Sequence, residues 1–196
     1  MKVTIIKYNA GNIYSVEHAL KRLGVKAQIT ADPNLIQASD KIIFPGVGEA
    51  TCTMRYLQQT GLDKIICSLR QPVLGICLGM QLLCRHSEEG NVDGLGIFDI
   101  DIKKFQPKDQ TDKVPHMGWN TLTATRSKLF ENLNDNEFVY FVHSYYAPVC
   151  SYTTAQTEYI HPFSAALQKD NFYATQFHPE KSGTIGERIL YNFLRL

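Results

Sequence analysis

The stretch Pro72-Val73-Leu74-Gly75-Ile76-Cys77-Leu78-Gly79-Met80-Gln81-Leu82-Leu83 decides the fold. A short apolar run ends at Cys77, and a helix-like run begins at the next residue with no loop between them. Glycines stand two residues before and two residues after the cysteine. This is the G-x-nucleophile-x-G spacing of a nucleophile elbow, with Cys in place of Ser. So sharp a turn from strand to helix holds the nucleophile strained and exposed, and side chains at the flanking positions would collide. The helix that begins after Cys77 aims its free N–H groups and the positive end of its dipole at the sulfur, favouring the thiolate. The bland alternative is a buried cysteine at a strand end with two incidental glycines.

Upstream of the elbow, strand and helix patterns alternate. Lys2 to Tyr8 reads as a buried strand, followed by the loop Asn9-Ala10-Gly11-Asn12. Ile13 to Leu23 places apolar residues at helical spacing, and Gly24 closes it. Lys26 to Thr30 and Lys41 to Phe44 read as strands, and Glu49 to Gln59, Leu62 to Arg70 and Leu78 to His86 as helices. This order predicts an α/β fold with a doubly wound, mostly parallel sheet, whose ligands sit at the C-terminal strand edge. Asn12, Gly46 and Cys77 fall at that edge. Downstream, Phe98 to Phe105, Phe138 to His143, Thr153 to Tyr159, Ala165 to Lys169 and Phe172 to Phe177 read as strands with few helices between them. They predict an attached antiparallel portion. Phe105 to Val114 reads as a polar loop, and Ser182 to Leu196 as a closing amphipathic helix. No linker divides the chain, so residues 1–196 are expected to form a single domain.

Bulk composition narrows the function classes. The 196 residues are 44% hydrophobic and 20% charged, with a net charge of +1. That balance gives no electrostatic case for nucleic acid or a membrane surface. No apolar run approaches the ~20 residues that span a bilayer. The chain begins directly in strand pattern, and its five cysteines are an odd number. Reduced thiols in the cytoplasm are the expectation. No Cys/His spacing points to zinc, so neither metal nor organic cofactor is expected.

Cys77 needs a base. Of six histidines, His178 stands apart, in Phe177-His178-Pro179-Glu180 between the last strand and the last helix. Pro179 keeps the chain extended, so that His178 and Glu180 project the same way and the carboxylate orients the imidazole. Pro45-Gly46-Val47-Gly48 is the candidate oxyanion loop: glycines on both sides of Val47 let a peptide N–H point into the site. The second donor would be the N–H of Leu78. For these segments the plain alternatives are a polar strand end and an ordinary turn.

The elbow Gly75-Ile76-Cys77-Leu78-Gly79-Met80-Gln81, together with His178-Pro179-Glu180 about a hundred residues on, resembles the class I (triad) glutamine amidotransferases. Four further segments narrow the resemblance to the glutaminase subunits of imidazole glycerol phosphate synthases. They are Tyr8-Asn9-Ala10-Gly11-Asn12 with Ser15, Pro45-Gly46-Val47-Gly48, Pro115-His116-Met117-Gly118-Trp119-Asn120 and Phe141-Val142-His143-Ser144-Tyr145-Tyr146. The resemblance runs from Lys2 to the last helix. It implies Cys77 as nucleophile, His178 as general base and acid, Glu180 as orienting carboxylate, and the N–H groups of Val47 and Leu78 as oxyanion donors. It further implies that Gln81 and Glu89 hold the α-carbon end of substrate glutamine, with Gly46, Gly48, Ser144 and Tyr145 nearby. A one-residue shift would select Glu88 instead of Glu89. Asn12, Met117, Gly118, Trp119 and Asn120 would face a cyclase (synthase) subunit in a heterodimer. That partner would use the ammonia to form imidazole glycerol phosphate and an aminoimidazole carboxamide ribonucleotide in histidine biosynthesis. The alternatives are an amidotransferase of the pyridoxal-phosphate, anthranilate or guanylate type, a stand-alone cysteine hydrolase, and a non-catalytic scaffold subunit.

Overall fold

The computed structural model describes residues 1–8 and 12–196. The first half of the chain alternates β1 (Val3–Ile6), α1 (Ile13–Arg22), β2 (Gln28–Thr30), α2 (Pro33–Gln37), β3 (Lys41–Phe44), α3 (Ala50–Thr60), α4 (Leu62–Ser68), β4 (Val73–Ile76) and α5 (Leu78–Leu83). Strands then predominate: β5 (Cys84–Ser87), β6 (Val92–Asp93), β7 (Phe98–Lys104), β8 (His116–Thr121), β9 (Phe138–His143), β10 (Tyr145–Tyr146), β11 (Thr153–Tyr159), β12 (His161–Lys169) and β13 (Phe172–Thr175). Helix α6 (Gly183–Leu194) closes the chain.

The main sheet has seven strands in the order β11-β12-β13-β4-β3-β1-β2. From β13 to β2 the pairings are all parallel, and β11 and β12 extend the sheet as an antiparallel edge. β1, β3, β4 and β13 are buried at every position, as strands covered on both faces must be. Their side chains divide by strand alternation. Val3, Ile5, Ile43, Leu74 and Ile76 meet α1 and α6 in one core. Ile6, Ile42, Phe44 and Val73 meet α2, α3, α4 and α5 in the other. The sheet is therefore wound on both faces, as the order of elements predicts. A second sheet, β10-β7-β5-β6, and the antiparallel pair β8-β9 complete the fold.

Local chemistry sets the helix ends. The Asp32 carboxylate accepts from Asn34 N at 2.8 Å, with Pro33 opening α2. Glu49 accepts from Thr51 N and Cys52 N at the start of α3, each at 2.8 Å. Gly61, at φ 72°, turns α3 into α4.

One expectation is corrected, and two elements were not anticipated. The helix expected over 78–86 ends at Leu83, and Cys84–Ser87 is a strand pairing with β7 and β6. Carbonyls of Leu82, Cys84 and Arg85 are taken by Leu95, Gly96 and Gly94 N–H groups at 2.7, 3.1 and 2.8 Å. Distant backbone thus outcompetes the local helical pattern. Residues 116–121, to which the sequence pattern assigned no element, form strand β8. The short helix α2 has no counterpart in the sequence reading. The Asn9-Ala10-Gly11 part of the first loop lies outside the described residues. Among the described residues no helix is long and apolar enough to cross a membrane.

Candidate active site

The carboxyl ends of β1, β3, β4 and β13 bring Tyr8, Pro45-Gly46-Val47-Gly48, Cys77 and Gln176-Phe177-His178 to one edge of the sheet, where a ligand of such a fold sits. Cys77 has φ 52° and ψ −107°, a conformation an L-residue adopts only under constraint. The constraint is close packing. A Cβ on Gly79 would collide with the carbonyl oxygen of Phe44, and one on Gly75 would stand 2.7 Å from Leu83 Cδ1 and 3.0 Å from Gly79 C. The elbow glycines therefore let α5 start against the ends of β3 and β4.

His178 and Glu180 follow β13 and are both buried. His178 Nδ1 lies 2.7 Å from Glu180 Oε1. His178 Nε2 is buried with no hydrogen-bond partner among the described residues, which leaves it to the Cys77 sulfur beside it in the cleft. Burial alone would lower the pKa of His178. The Cys77 sulfur beside it, and then Glu180, outweigh burial and raise it to about 10. Ser182 Oγ donates to His178 O at 2.7 Å and fixes the turn that carries the triad into α6.

The candidate oxyanion loop is held with its Gly46 carbonyl toward Leu78. Leu78 N–H donates to Gly46 O at 3.4 Å. In a trans peptide the C=O and the following N–H point opposite ways, so Val47 N–H is directed away from the Leu78 N–H. Of the two expected donors, the Leu78 N–H is already engaged in this conformation, and the Val47 N–H points the other way from it. Gly46 is needed here for closeness, because its Cβ would lie 2.5 Å from Gly79 N and 2.6 Å from Leu78 Cβ. Gly48, at φ 130°, has open space around it. The buried Tyr8 hydroxyl donates to Pro45 O, anchoring the loop one peptide upstream.

A cleft of about 220 Å³ opens over Cys77, lined by Val47, Gly48, Leu78, Gln81, Glu89, Val142, His143, Ser144, Tyr145 and His178. At ~30 Å³ per water this holds about seven waters, room for a small amino acid. Gln81 Nε2 donates to Tyr145 O at 3.0 Å and to Gln176 Oε1 at 3.1 Å. Only its carboxamide oxygen remains for a ligand. Glu89 lines the cleft and accepts from Ala50 N at 3.1 Å. Glu88 points elsewhere, to Lys104 N at 2.7 Å and Lys103 Nζ at 3.2 Å. This geometry favours Glu89 over Glu88. Burial raises the Glu89 carboxyl pKa; the Ala50 N–H opposes this and the Glu49 charge adds to it. A carboxylate and an amide oxygen in one small cleft are a pair of acceptors suited to an ammonium group. Among the described residues no three His, Cys, Asp or Glu side chains are grouped as metal ligands.

The residues expected at a partner surface separate into two sets. Met117 and Trp119 point outward from β8 and are 64% and 55% exposed. In the register of the pair they stand across from Val142 and Tyr140, and Phe138 extends the same face. Gly118 and Asn120 lie on the other face of β8. Asn120 Nδ2 donates to Glu158 O at 3.0 Å, and His116 Nε2 lies 3.3 Å from it. Asn12, at φ 68° before α1, donates to Glu180 Oε1 and so supports the triad.

Three residues that sequence reading passed over belong to the site. His143 Nδ1 donates to Tyr145 O at 2.7 Å, and its Nε2 accepts from His116 Nδ1 at 3.1 Å. Burial lowers the pKa of His143 to about 3 and that of His116 to about 4, so both rings stay neutral. The third is Gln176, fully buried, with Nε2 3.7 Å from Cys77 Sγ. The available signal was its position two residues before His178, on the same side of a strand-like run.

The model of the family described as glutamine amidotransferase class-I matches residues 4–196. The chain belongs to the class I glutamine amidotransferases. Over 196 residues and the full length of both chains it is 69% identical to the imidazole glycerol phosphate synthase subunit HisH of Bacteroides thetaiotaomicron. The Escherichia coli subunit of the same name is 46% identical over 198 residues, again at full length. Among solved structures, a glutamine amidotransferase superposes with TM-score 0.75 at 19% identity, covering 98% of this chain and 97% of its own. A putative GMP synthase subunit from Thermoplasma acidophilum superposes with TM-score 0.74 at 21% identity, covering 100% and 93%. These two likenesses speak for the amidotransferase fold alone.

Proposed function

We propose that this amidotransferase is the glutaminase subunit of an imidazole glycerol phosphate synthase. It hydrolyses glutamine to glutamate and ammonia and passes the ammonia to a cyclase subunit in a heterodimer, in the cytoplasm, for histidine biosynthesis. Full-length identity of 69% to a subunit of that name supports the pathway. The single observation that supports the chemistry is the strained Cys77 beside the buried His178–Glu180 pair.

In this reading, glutamine enters the cleft with its α-ammonium on Glu89 and the Gln81 oxygen, and its side-chain amide over Cys77. The thiolate attacks the amide carbon, and a tetrahedral oxyanion forms. His178 imidazolium gives its proton to the departing nitrogen; the C–N bond breaks and ammonia leaves, with a thioester remaining. Neutral His178 then takes a proton from water, hydroxide adds to the thioester, and the sulfur departs as thiolate with glutamate released. Glu180 keeps the ring in one orientation throughout. No metal or organic cofactor enters these steps. The outward face of Met117, Trp119 and Phe138 runs through Tyr140 to Val142 at the cleft, which suits a partner that collects ammonia at its mouth.

The test is Cys77→Ala in the complex. Glutamine should no longer support ring formation, while ammonium salts at alkaline pH still do, and the two chains should still associate. Glutamine-dependent turnover in that variant would end the reading.

A further inference from the structure

Gln176 is fully buried at the carboxyl end of β13, at the level of the nucleophile: Thr175 pairs with Ile76, and Cys77 N donates to Thr175 O at 2.8 Å. The direction of its carboxamide is fixed by a chain of donors and acceptors that begins at a backbone carbonyl. Tyr145 O can only accept, so the Gln81 atom 3.0 Å away is Nε2. That same Nε2 lies 3.1 Å from the Gln176 carboxamide, whose facing atom is therefore the oxygen. The other end of Gln176, its Nε2, is thereby turned to Cys77 Sγ at 3.7 Å. His143 Nδ1 donates to the same Tyr145 carbonyl at 2.7 Å and holds it in place.

We infer that Gln176 is a catalytic residue: its carboxamide donates a hydrogen bond to the Cys77 sulfur, and Gln81 holds it in that direction. A thiolate accepts such a bond better than a thiol does, so the contact favours the ionised nucleophile. It acts twice in a turnover. It helps set the thiolate fraction before attack, and it stabilises the sulfur again when the thioester is hydrolysed and the sulfur departs as an anion. Gln81 then has two tasks, its nitrogen aligning Gln176 and its oxygen facing the cleft. This inference rests on Cys77 being the glutaminase nucleophile.

The titratable groups around the sulfur are His178 from the segment after β13 and Tyr8 from the end of β1, both of which feel the Cys77 charge. Glu180 stands behind His178, and His143 and Glu89 line the same cleft. A substitution at Gln176 alters none of them, so a shift in the sulfur's behaviour is attributable to the lost donor.

The experiment follows iodoacetamide alkylation of Cys77 in the full chain across pH. Peptide mass spectrometry separates Cys77 from the exposed Cys52 and Cys67. In Gln176→Met and Gln176→Leu the alkylation midpoint should rise by about one pH unit relative to wild type, a tenfold change in the ionisation equilibrium. Glutaminase kcat should fall about tenfold at neutral pH and recover toward wild type as pH rises, with KM changed less. A residue needed only for packing would depress the rate at every pH and leave the midpoint in place. An unchanged midpoint in a variant with wild-type circular dichroism overturns the inference. Should neither variant fold, Gln81→Met, which releases Gln176 from its forced orientation, must move the midpoint the same way by a smaller amount, and no movement there overturns it equally. Activity retained by Cys77→Ala would instead overturn the glutaminase reading, so the two failures are distinct.

Discussion

At the scale of single residues, the site separates groups that must carry charge from groups that must not. His178 is held as imidazolium by Cys77 and Glu180, against the burial that would discharge it. His116 and His143, equally enclosed but without a carboxylate, are neutral and serve as hydrogen-bonding struts. Glu89 is intermediate, a half-buried carboxylate whose pKa is raised, with burial the largest cause. The sign of its effect follows directly. A carboxyl with raised pKa takes up its proton at a higher pH than usual, and in that form it no longer attracts an ammonium. The KM for glutamine should therefore climb as pH falls through the acid range, with kcat less affected. Glu89→Gln should raise KM at neutral pH by about tenfold, the value of one lost charged hydrogen bond, and should flatten the acid rise. Glu88→Gln should leave both unchanged. Steady-state kinetics over pH decides this, and a Glu88 variant with the larger KM effect would reverse the assignment of the two carboxylates.

Elements built from contiguous sequence are legible in the sequence itself. The elbow announces itself because strand, turn and helix occupy twelve consecutive residues, and the turn's steric demand is met by glycines in that same run. Strands β9 and β11 begin and end where their alternation predicts. What escaped reading depends on distant partners. β5 looks helical until the backbone of 94–96 takes its carbonyls, and β8 shows no strand pattern of its own until β9 pairs with it. The inward turn of Asn12 and the role of Gln176 depend on residues 168 and 99 positions away. The glycines of Pro45-Gly46-Val47-Gly48 were legible as freedom for a peptide, but the need of Gly46 for contact with α5 was not. That contact makes a bulky residue at Gly46 a poor probe of the loop, since it would displace the elbow itself. Val47→Pro is cleaner. Proline has no N–H, and among the described residues the Val47 N–H has no partner to lose. With the carbonyl inward the variant should match wild type in unstimulated turnover. With the loop reversed it should lack one oxyanion donor and lose about a hundred- to a thousand-fold of the stimulated rate. A stimulated rate within about threefold of wild type would remove Val47 from the oxyanion site.

At the scale of the whole molecule, an assembled Cys77, His178 and Glu180 and a loop carbonyl turned to the Leu78 N–H occur together. The three side chains are assembled, yet the Leu78 N–H is occupied by Gly46 O; on the proposed reading the chain alone therefore lacks a donor for the intermediate. Turning one peptide exchanges a carbonyl for a donor without moving Cys77, His178 or Glu180. Tyr8 limits the motion by anchoring Pro45. A partner can shift this equilibrium only by binding the two loop states unequally, and the coupling is then reciprocal. The outward face of β8 and β9 is where such binding would act. It presents Met117, Trp119 and Phe138 to solvent, and on β9 it reaches Val142, whose carbonyl lies 3.9 Å from the sulfur. Glutaminase turnover of the complex should therefore rise at least about tenfold when the cyclase site holds its ligand, a barrier change of only ~1.4 kcal/mol. Trp119→Ala, which removes the central aromatic of the face, should weaken association by about tenfold or more. At fixed protein concentration it should lose the stimulation, while the unstimulated rate of the isolated chain stays the same. Turnover of the complex measured with and without ligand, beside the affinity between the two chains, tests both parts. Equal rates in the two conditions, or full activity in the isolated chain, would mean that the carbonyl-in loop is no brake on glutamine hydrolysis.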